Sequence, residues 1–141
     1  MAGSIKKILV PLDGSKNSMR GLNEAIRLAS AVDASITGLY VVPTSIPSAS
    51  AVTAPIRDKI KKQADSIIEG ARRKAVSEGI KFSERITSGN IGSAISTYAD
   101  HNKFDVVVMG SRGLSGAKQA FLGSISNHVV HATKAPVLIV K

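Results

Sequence analysis

The sequence contains no cysteine and no tryptophan, and it has only 3 phenylalanines and 2 tyrosines among its 141 residues. Without cysteine, the chain forms no disulfide and uses no thiol as a nucleophile or metal ligand, although this leaves its compartment open. With so few aromatic side chains, it lacks the rings on which nucleic-acid-binding proteins stack bases. No stretch approaches the roughly 18 consecutive apolar residues of a transmembrane helix. We therefore expect no part of the chain to cross a membrane.

The balance of apolar and charged residues is typical of a globular protein. Hydrophobic residues make up 43% of the chain and charged residues 21%. A chain of this length can bury about 68% of its unfolded surface in one core, so we expect a single domain over residues 1–141. The first ten residues, MAGSIKKILV, lead directly into a strand-like run without a signal-peptide cleavage region. We therefore expect a cytoplasmic protein.

The chain is strongly basic, with a formal net charge of +9. Such a charge can indicate nucleic-acid binding. Nine of the basic residues, however, lie between positions 57 and 85, where they alternate with five acidic residues. That pattern is typical of a solvated helix face with local ion pairs. We therefore do not expect nucleic acid as a partner, although a basic surface would still attract an anionic nucleotide.

Residues 106–130 carry the strongest chemical signal in the chain. Residues 106–109 are apolar and predict a strand buried on both faces. Four glycines follow before a segment with helical spacing begins at Ser124: Gly110, Gly113, Gly116 and Gly123. A strand, a glycine-rich loop and a helix start can form a phosphate cradle, because the loop and the first helical turn offer unpaired N–H groups.

A loop that only forms a turn, without binding phosphate, could have the same glycine pattern. Gly123 could serve only as a helix cap, and neither G-x-x-x-x-G-K-S/T nor G-x-G-x-x-G occurs in this stretch. The sequence therefore does not support a P-loop or a dinucleotide fingerprint. The spacing alone leaves a phosphate site and a structural turn both open.

The hydrophobic pattern predicts five strands that alternate with helices. The predicted strands are residues 5–12, 34–42, 80–87, 104–109 and 136–140. We expect a first helix that is capped by Ser15 and runs to about residue 32, a second over residues 56–78 that ends at Gly79, a third from residues 88–90, and a fourth from Ser124. One buried stripe is expected on the second helix: Ile56, Ile60, Ala64, Ile67, Ala71 and Ala75. This order predicts a doubly wound α/β fold, with a parallel sheet and helices on both faces.

The glycine spacing matches a family pattern. Gly110, two residues, Gly113, nine residues and then Gly123-Ser124 form G-x2-G-x9-G-S/T, and the chain also begins with KKILVPLDGS and ends with APVLIVK. In these features it resembles the ATP-binding branch of the universal stress protein family over its whole length. The resemblance implies a five-stranded sheet of order 3-2-1-4-5, a fold of the adenine nucleotide alpha hydrolase type. In such a sheet, ligands bind where strands one and four diverge.

The resemblance also implies ATP as the ligand and a set of binding residues. The end of the first strand and the second strand would hold the base and ribose, and the glycine motif would hold the phosphates. The residues are Pro11, Leu12, Asp13, Val41, Met109, Gly110, Arg112, Gly113, Gly123, Ser124 and Ile125. Val41 would recognise the adenine edge through its backbone, while Pro11 and Met109 would form the walls of the adenine pocket.

Several of these side chains have a second interpretation. Asp13 could approach the phosphates through a bound Mg²⁺ or Mn²⁺ ion, or it could only stabilise the start of the following helix. Arg112 and Lys118 could neutralise phosphates or could be solvent-facing loop charges. His128 and His131 have the i, i+3 spacing of a metal pair, but without a further ligand we interpret them as surface histidines.

The predicted strand order makes strands three and five the sheet edges. Strand three is protected by Lys81, Glu84 and Arg85, since charges discourage edge pairing. Strand five has no internal charge along its four apolar residues, Val137, Leu138, Ile139 and Val140. An unprotected apolar edge predicts a partner, and the resemblance implies a homodimer through this strand.

Three functions remain open at this point. The first is an ATP-binding regulatory module of the stress response, with little or no turnover, which we favour because Asp13 is the only acid predicted beside the glycine loop. The second is a weak ATPase or phosphotransferase, and the third is a dimeric interaction domain that binds no nucleotide. Residues 43–55 contain three prolines and are expected to be either a cover over the nucleotide or a plain linker.

Overall fold

The computed structural model describes residues 3–44, 54–111 and 122–141. Within these ranges, five strands alternate with four helices, as predicted. In chain order the elements are β1 (Lys7–Pro11), α1 (Lys16–Val32), β2 (Ser35–Pro43), α2 (Ala54–Ser77), β3 (Phe82–Gly89), α3 (Ile91–His101), β4 (Val106–Gly110), α4 (Ser124–Ala132) and β5 (Val137–Val140). None of the described helices is long and apolar enough to cross a membrane.

The five strands form one parallel sheet of order β3-β2-β1-β4-β5. This confirms the predicted fold and strand order. β1 lies in the middle, where Ile8 pairs with Ile36 of β2 and with Val106 of β4. After β1 the chain continues to β2 on one side, and after β4 it continues to β5 on the other. The two connections therefore diverge at the carboxyl ends of β1 and β4, where doubly wound sheets bind ligands.

Helices cover both faces of the sheet, and each face has its own apolar layer. Ile8 and Val10 of β1 pack in the layer under α1 and α2, whereas Leu9 packs in the layer under α3 and α4. All three side chains are fully buried, and burial of a side chain of this size contributes roughly 1.5–3 kcal/mol. Because β1 is covered on both faces, its sequence is a continuous apolar run and not an alternating one.

The helix ends follow the predicted capping residues. Ser15 caps α1 through its hydroxyl oxygen, which accepts a hydrogen bond from the backbone N–H three residues later at 3.1 Å. Gly79 follows α2 with a positive φ of 77°, a conformation that glycine adopts readily. The N–H of Ile80 then donates to the carbonyl of Ala75 at 3.0 Å. Ile80 therefore belongs to the helix end, and β3 begins two residues later than predicted.

Helix α2 differs from its prediction in its start and in its buried stripe. It begins at Ala54, so its first residues occupy the end of the predicted 43–55 loop; residues 45–53 of that loop lie outside the described residues. Ile56 is 48% exposed, as residues 54–59 are all exposed. The fully covered positions are Ala64, Ile68, Ala71 and Ala75. The first turns of α2 thus extend beyond the packed layer, and apolar spacing alone cannot reveal where that layer ends.

The two edge strands of the sheet, β3 and β5, differ in how well they are protected against pairing with another strand. On β3, Glu84 and Arg85 are exposed. Arg72 of α2 pairs with Glu84 and lies over the ring of Phe82. On β5 no charged residue interrupts the strand, and Leu138 is 41% exposed. The remaining strand ends lie within two residues of their predicted positions.

Candidate functional site

A cavity of about 300 Å³ opens at the carboxyl ends of β1, β2 and β4. This is the point where the chain connections diverge. Nine of the eleven predicted binding residues lie along its wall: Pro11, Leu12, Asp13, Val41, Met109, Gly110, Gly123, Ser124 and Ile125. The other two, Arg112 and Gly113, lie outside the described residues, as does Lys118.

The wall also contains residues that the sequence did not suggest: Ser18, Leu39, Tyr40, Pro43, Gln63, Ile91, Ile95 and Ser126. Ser126 comes two residues after the glycine motif, so its position in the first turn of the helix could have indicated it. Gln63 comes from the middle of α2. No sequence signal identifies it, because only the path of α2 beside the sheet brings it to the cavity.

The inner part of the cavity is apolar. Val41 and Met109 are 7% and 6% exposed, and Leu39 and Ile95 are almost completely buried. Pro11 ends β1 beside them. Small-molecule sites are typically lined by such side chains together with a few polar groups that set the orientation of the ligand. This part of the cavity suits a flat apolar group such as a purine base.

Val41 offers its backbone to this apolar region. In β2 the carbonyl of Leu39 faces β1, since it accepts a hydrogen bond from the N–H of Leu12 at 2.9 Å. Backbone groups two residues apart in a strand point to the same side, so the N–H and C=O of Val41 also point toward β1. The paired register of β1 has already ended at Pro11. These two groups can therefore bind the polar edge of a base.

Asp13 lies between the end of β1 and the start of α1. Its Oδ1 accepts a hydrogen bond from the N–H of Ser15 at 2.8 Å, which forms an Asx turn just before the helix. The half-buried side chain also lines the cavity. The two interpretations of Asp13 are thus compatible, since one carboxylate oxygen supports the turn and the residue still lies on the cavity wall.

A metal ion at this site would need ligands in addition to the described residues. Among the described residues, no three His, Cys, Asp or Glu side chains lie together as a metal site would require. Asp13 is the acidic residue among the described wall residues. Mg²⁺ is commonly held by one or two carboxylates together with phosphate oxygens and water. The residues present therefore fit a divalent ion that arrives with a phosphorylated ligand.

The start of α4 faces the same cavity through Ser124, Ile125 and Ser126. The carbonyl of Ser111, just after β4, accepts hydrogen bonds from the N–H of Gly123 at 2.8 Å and from the hydroxyl of Ser126 at 2.7 Å. These two bonds hold the helix start against the end of β4. Gly123 is the N-cap and has no side chain to bond the first turn. No side-chain cap from the described residues occupies the first N–H groups of α4, and these groups and the positive end of the helix dipole can therefore bind an anion.

The two histidines of α4 contact different partners. The ring of His128 packs against Gly92 of α3, and its Nε2 lies 3.5 Å from the hydroxyl of Ser93. Nδ1 of His131 lies 2.8 Å from the carbonyl of Asn127, one turn earlier in the same helix. The two rings therefore have no polar partner in common among the described residues.

Comparison with known proteins agrees with this architecture. The model of the universal stress protein family matches residues 4–141. Universal stress protein YxiE of Bacillus subtilis is 32% identical over 145 residues, which cover 96% of this chain and 98% of YxiE. The structure of protein MJ0577 superposes with a TM-score of 0.88 at 26% identity, and the match covers 98% of this chain and 96% of MJ0577.

A further solved structure shows a ligand. It is a universal stress protein in complex with cAMP, which superposes with a TM-score of 0.79 at 27% identity, and the match covers 99% of both chains. The family match extends over residues 4–141, and YxiE and the cAMP complex both have the name of that family. This chain belongs to the universal stress protein family.

Proposed function

We propose that this chain is an ATP-binding module of the stress response that turns over little or no nucleotide. One observation carries the proposal: the backbone edge of Val41, the apolar slot beside Met109 and the open first turn of α4 line a single cavity. A purine needs a flat apolar site with a hydrogen-bonding edge, and phosphates need N–H donors and positive potential. The cavity offers both within one space.

The choice of an adenine nucleotide rests on two further points. The relative in complex with cAMP is 27% identical to this chain, and cAMP contains adenine, ribose and phosphate. The segment from Gly110 to Ser124 contains four glycines, at which the backbone can approach a ligand without a Cβ in the way, and its length suits more than one phosphate group. We therefore favour ATP, with Mg²⁺ or Mn²⁺ held between its phosphates and Asp13.

The described residues that line the first cavity favour binding of ATP without its efficient hydrolysis. Efficient phosphoryl transfer needs a group that positions the nucleophile and a charge clamp on the γ-phosphate. Asp13 could position a water molecule, but its Oδ1 already accepts from Ser15. A weak ATPase or phosphotransferase is therefore the second candidate. Release of phosphate from ATP at a rate far above the uncatalysed reaction, and lost in Asp13→Ala, would favour it.

We also propose a homodimer formed through β5. The carbonyl of Val140 accepts from the N–H of Ser111 on the β4 side, so Val140 and Leu138 direct their backbone groups toward β4. Val137 and Ile139 therefore direct theirs away from the sheet. Leu138 adds an exposed apolar side chain at this edge. A second copy of β5 would pair with these groups across a two-fold axis.

Two expectations from the sequence stay predictions. One is a single domain over residues 1–141, which limited proteolysis of the purified protein would test. The other is a cytoplasmic location, which fractionation of cells would test.

The central experiment identifies the nucleotide and its contact with Val41. Mass spectrometry of small molecules released from freshly purified protein should detect an adenine nucleotide, and calorimetry should measure binding of added ATP. In Val41→Pro the ring removes the N–H that points past the end of β1, whereas Val41→Ala keeps this N–H; urea unfolding of both variants checks that the proline leaves the fold intact. We expect Val41→Pro to weaken ATP binding at least about tenfold more than Val41→Ala does. Equal affinities of the two variants, or no binding by the unmodified protein, would refute the proposal.

A further inference from the structure

A second cavity, of about 580 Å³, adjoins the first at the carboxyl edge of the sheet. It lies at the ends of β2 and β3, between the first turns of α3 and α4. The two cavities share four residues, Pro43, Ile91, Ser124 and Ile125. Thr44 and His128 are among the residues that line only the second in its described part. A ligand held at the start of α4 can therefore extend from one cavity into the other.

His128 is fixed in the wall of this second cavity. It lies four residues after Ser124, so both residues are on one face of α4, and helical side chains lean toward the helix N-terminus. Its ring packs so closely against α3 that a Cβ atom on Gly92 would lie 2.8 Å from the His128 Cδ2 atom. The imidazole thus forms a flat surface one turn from the predicted phosphate site.

The second cavity offers neutral polar groups. Thr44 contributes a hydroxyl, and Asn90 contributes an amide. The Oδ1 of Asn90 caps α3 by accepting from the N–H of Ser93 at 3.1 Å, so its NH₂ group remains as a donor. No Asp, Glu, Lys or Arg occurs among the described residues of this wall. The combination suits an uncharged planar group with hydrogen-bonding edges, such as a nucleobase with its ribose.

We propose that the second cavity binds a second nucleoside, joined through phosphates to the nucleotide in the first. The preferred ligand is then a dinucleoside polyphosphate. Its first base occupies the slot beside Val41, its phosphates follow the first turn of α4, and its second base stacks on His128. Aromatic side chains, including histidine, commonly receive unstacked bases in this way. The inference rests on the proposed nucleotide function, because the phosphates connect the two cavities.

The test compares diadenosine tetraphosphate with ATP by titration calorimetry. For the unmodified protein we expect diadenosine tetraphosphate to bind about tenfold more tightly. His128→Ala removes the stacking surface, and Thr44→Trp fills the cavity. Each should abolish this advantage and leave ATP binding unchanged. His131→Ala is the matched control on the same helix, since His131 is hydrogen-bonded to Asn127 instead, and it should keep the advantage.

Each outcome has a definite consequence. Thr44, His128 and His131 are all exposed, and thermal unfolding of the three variants checks that each folds as the unmodified protein does. If diadenosine tetraphosphate binds no more tightly than ATP, the inference is wrong while the proposed function stands. Its advantage surviving in both His128→Ala and Thr44→Trp would equally overturn the second site. If neither ligand binds, the proposed function fails and this inference fails with it.

Discussion

A Cβ atom on Gly110 would lie 2.5 Å from the carbonyl oxygen of Asn17. Gly110 ends β4, and Asn17 lies in the first turn of α1, so the helix that follows β1 packs directly against the end of β4. Gly21 makes a similar approach one turn later, where a Cβ atom would lie 3.1 Å from the nitrogen of Gly110. The glycine motif was expected to serve phosphate binding through its backbone. Its first glycine, which lines the cavity, has a packing requirement as well.

We expect Gly110→Ala to destabilise the fold as well as the site. The added methyl group would collide with backbone atoms of α1, which cannot rotate away as a side chain could. The free energy of unfolding, measured with urea, should fall by roughly 1–3 kcal/mol. Gly70→Ala is the matched control, because Gly70 lies within α2 with no neighbouring atom within 4 Å of an added Cβ. It should raise stability by about 0.5–1 kcal/mol. A Gly110→Ala protein as stable as the original would contradict the close packing.

The two roles of Asp13 can be separated by substitution. Asp13→Asn keeps an oxygen that can accept the N–H of Ser15 but removes the charge. Its unfolding free energy should stay within about 0.5 kcal/mol of the original, while its affinity for ATP with Mg²⁺ should fall about tenfold toward the value without Mg²⁺. Asp13→Ala should lose the same affinity and about 1 kcal/mol of stability in addition. If Asp13→Asn binds ATP with Mg²⁺ as tightly as the original, the carboxylate does not hold the ion.

The β5 dimer can be tested through its backbone. Ile139→Pro removes an N–H that points away from β4, so the pairing of β4 with β5 should remain. Ile139→Ala is the control, because it loses the same half-buried side chain but keeps the N–H. In sedimentation at micromolar concentration we expect the original chain and Ile139→Ala to be dimers and Ile139→Pro to be a monomer. A monomeric original chain, or a dimer that persists in Ile139→Pro, would be inconsistent with pairing through β5.

Acid stability should depend on the link between Asp100 and Thr133. The Thr133 hydroxyl donates a hydrogen bond to Oδ1 of Asp100 at 2.7 Å. This bond is the main reason why the pKa of the Asp100 carboxyl is lowered. Burial acts in the opposite direction, and the N–H of Lys134, which also donates to Oδ1, lowers the pKa further. Because the folded-state pKa lies below the unfolded value of about 3.9, the charged form contributes stability above roughly pH 4. That stability is lost as the pH falls through the folded-state pKa.

Thr133→Val should therefore be less stable than the original at pH 7, and its stability should fall less steeply between about pH 5 and pH 3. Thr133→Ser keeps the hydroxyl and should behave as the original does. Urea unfolding at a series of pH values measures both effects. Parallel pH profiles for Thr133→Val and the original would show that this hydrogen bond does not set the acid sensitivity.

The order of elements could be predicted because each depends on local patterns. The buried run of β1, the cap at Ser15 and the stop at Gly79 are all set within a few residues, and the structure has each in its expected place. Predictions were wrong where contacts in the folded structure decide whether a residue belongs to a helix or a strand and whether it is buried. Ile80 has the pattern of a strand residue, but its N–H bonds back to α2. Ile56 lies on the apolar spacing of α2, but it is 48% exposed in the first turns of that helix.

The sequence by itself determined the α/β alternation, the family and the glycine motif, because periodicity and motif spacing are properties of neighbouring residues. Only the tertiary structure decided which groups meet. It brought Gln63 and Ser126 to the first cavity, placed Gly110 against Asn17 and set His128 on Gly92 in the wall of the second cavity. These contacts join residues far apart in the chain. They depend on how each helix crosses the sheet, and that is fixed by the packing of the whole core and not by any local pattern.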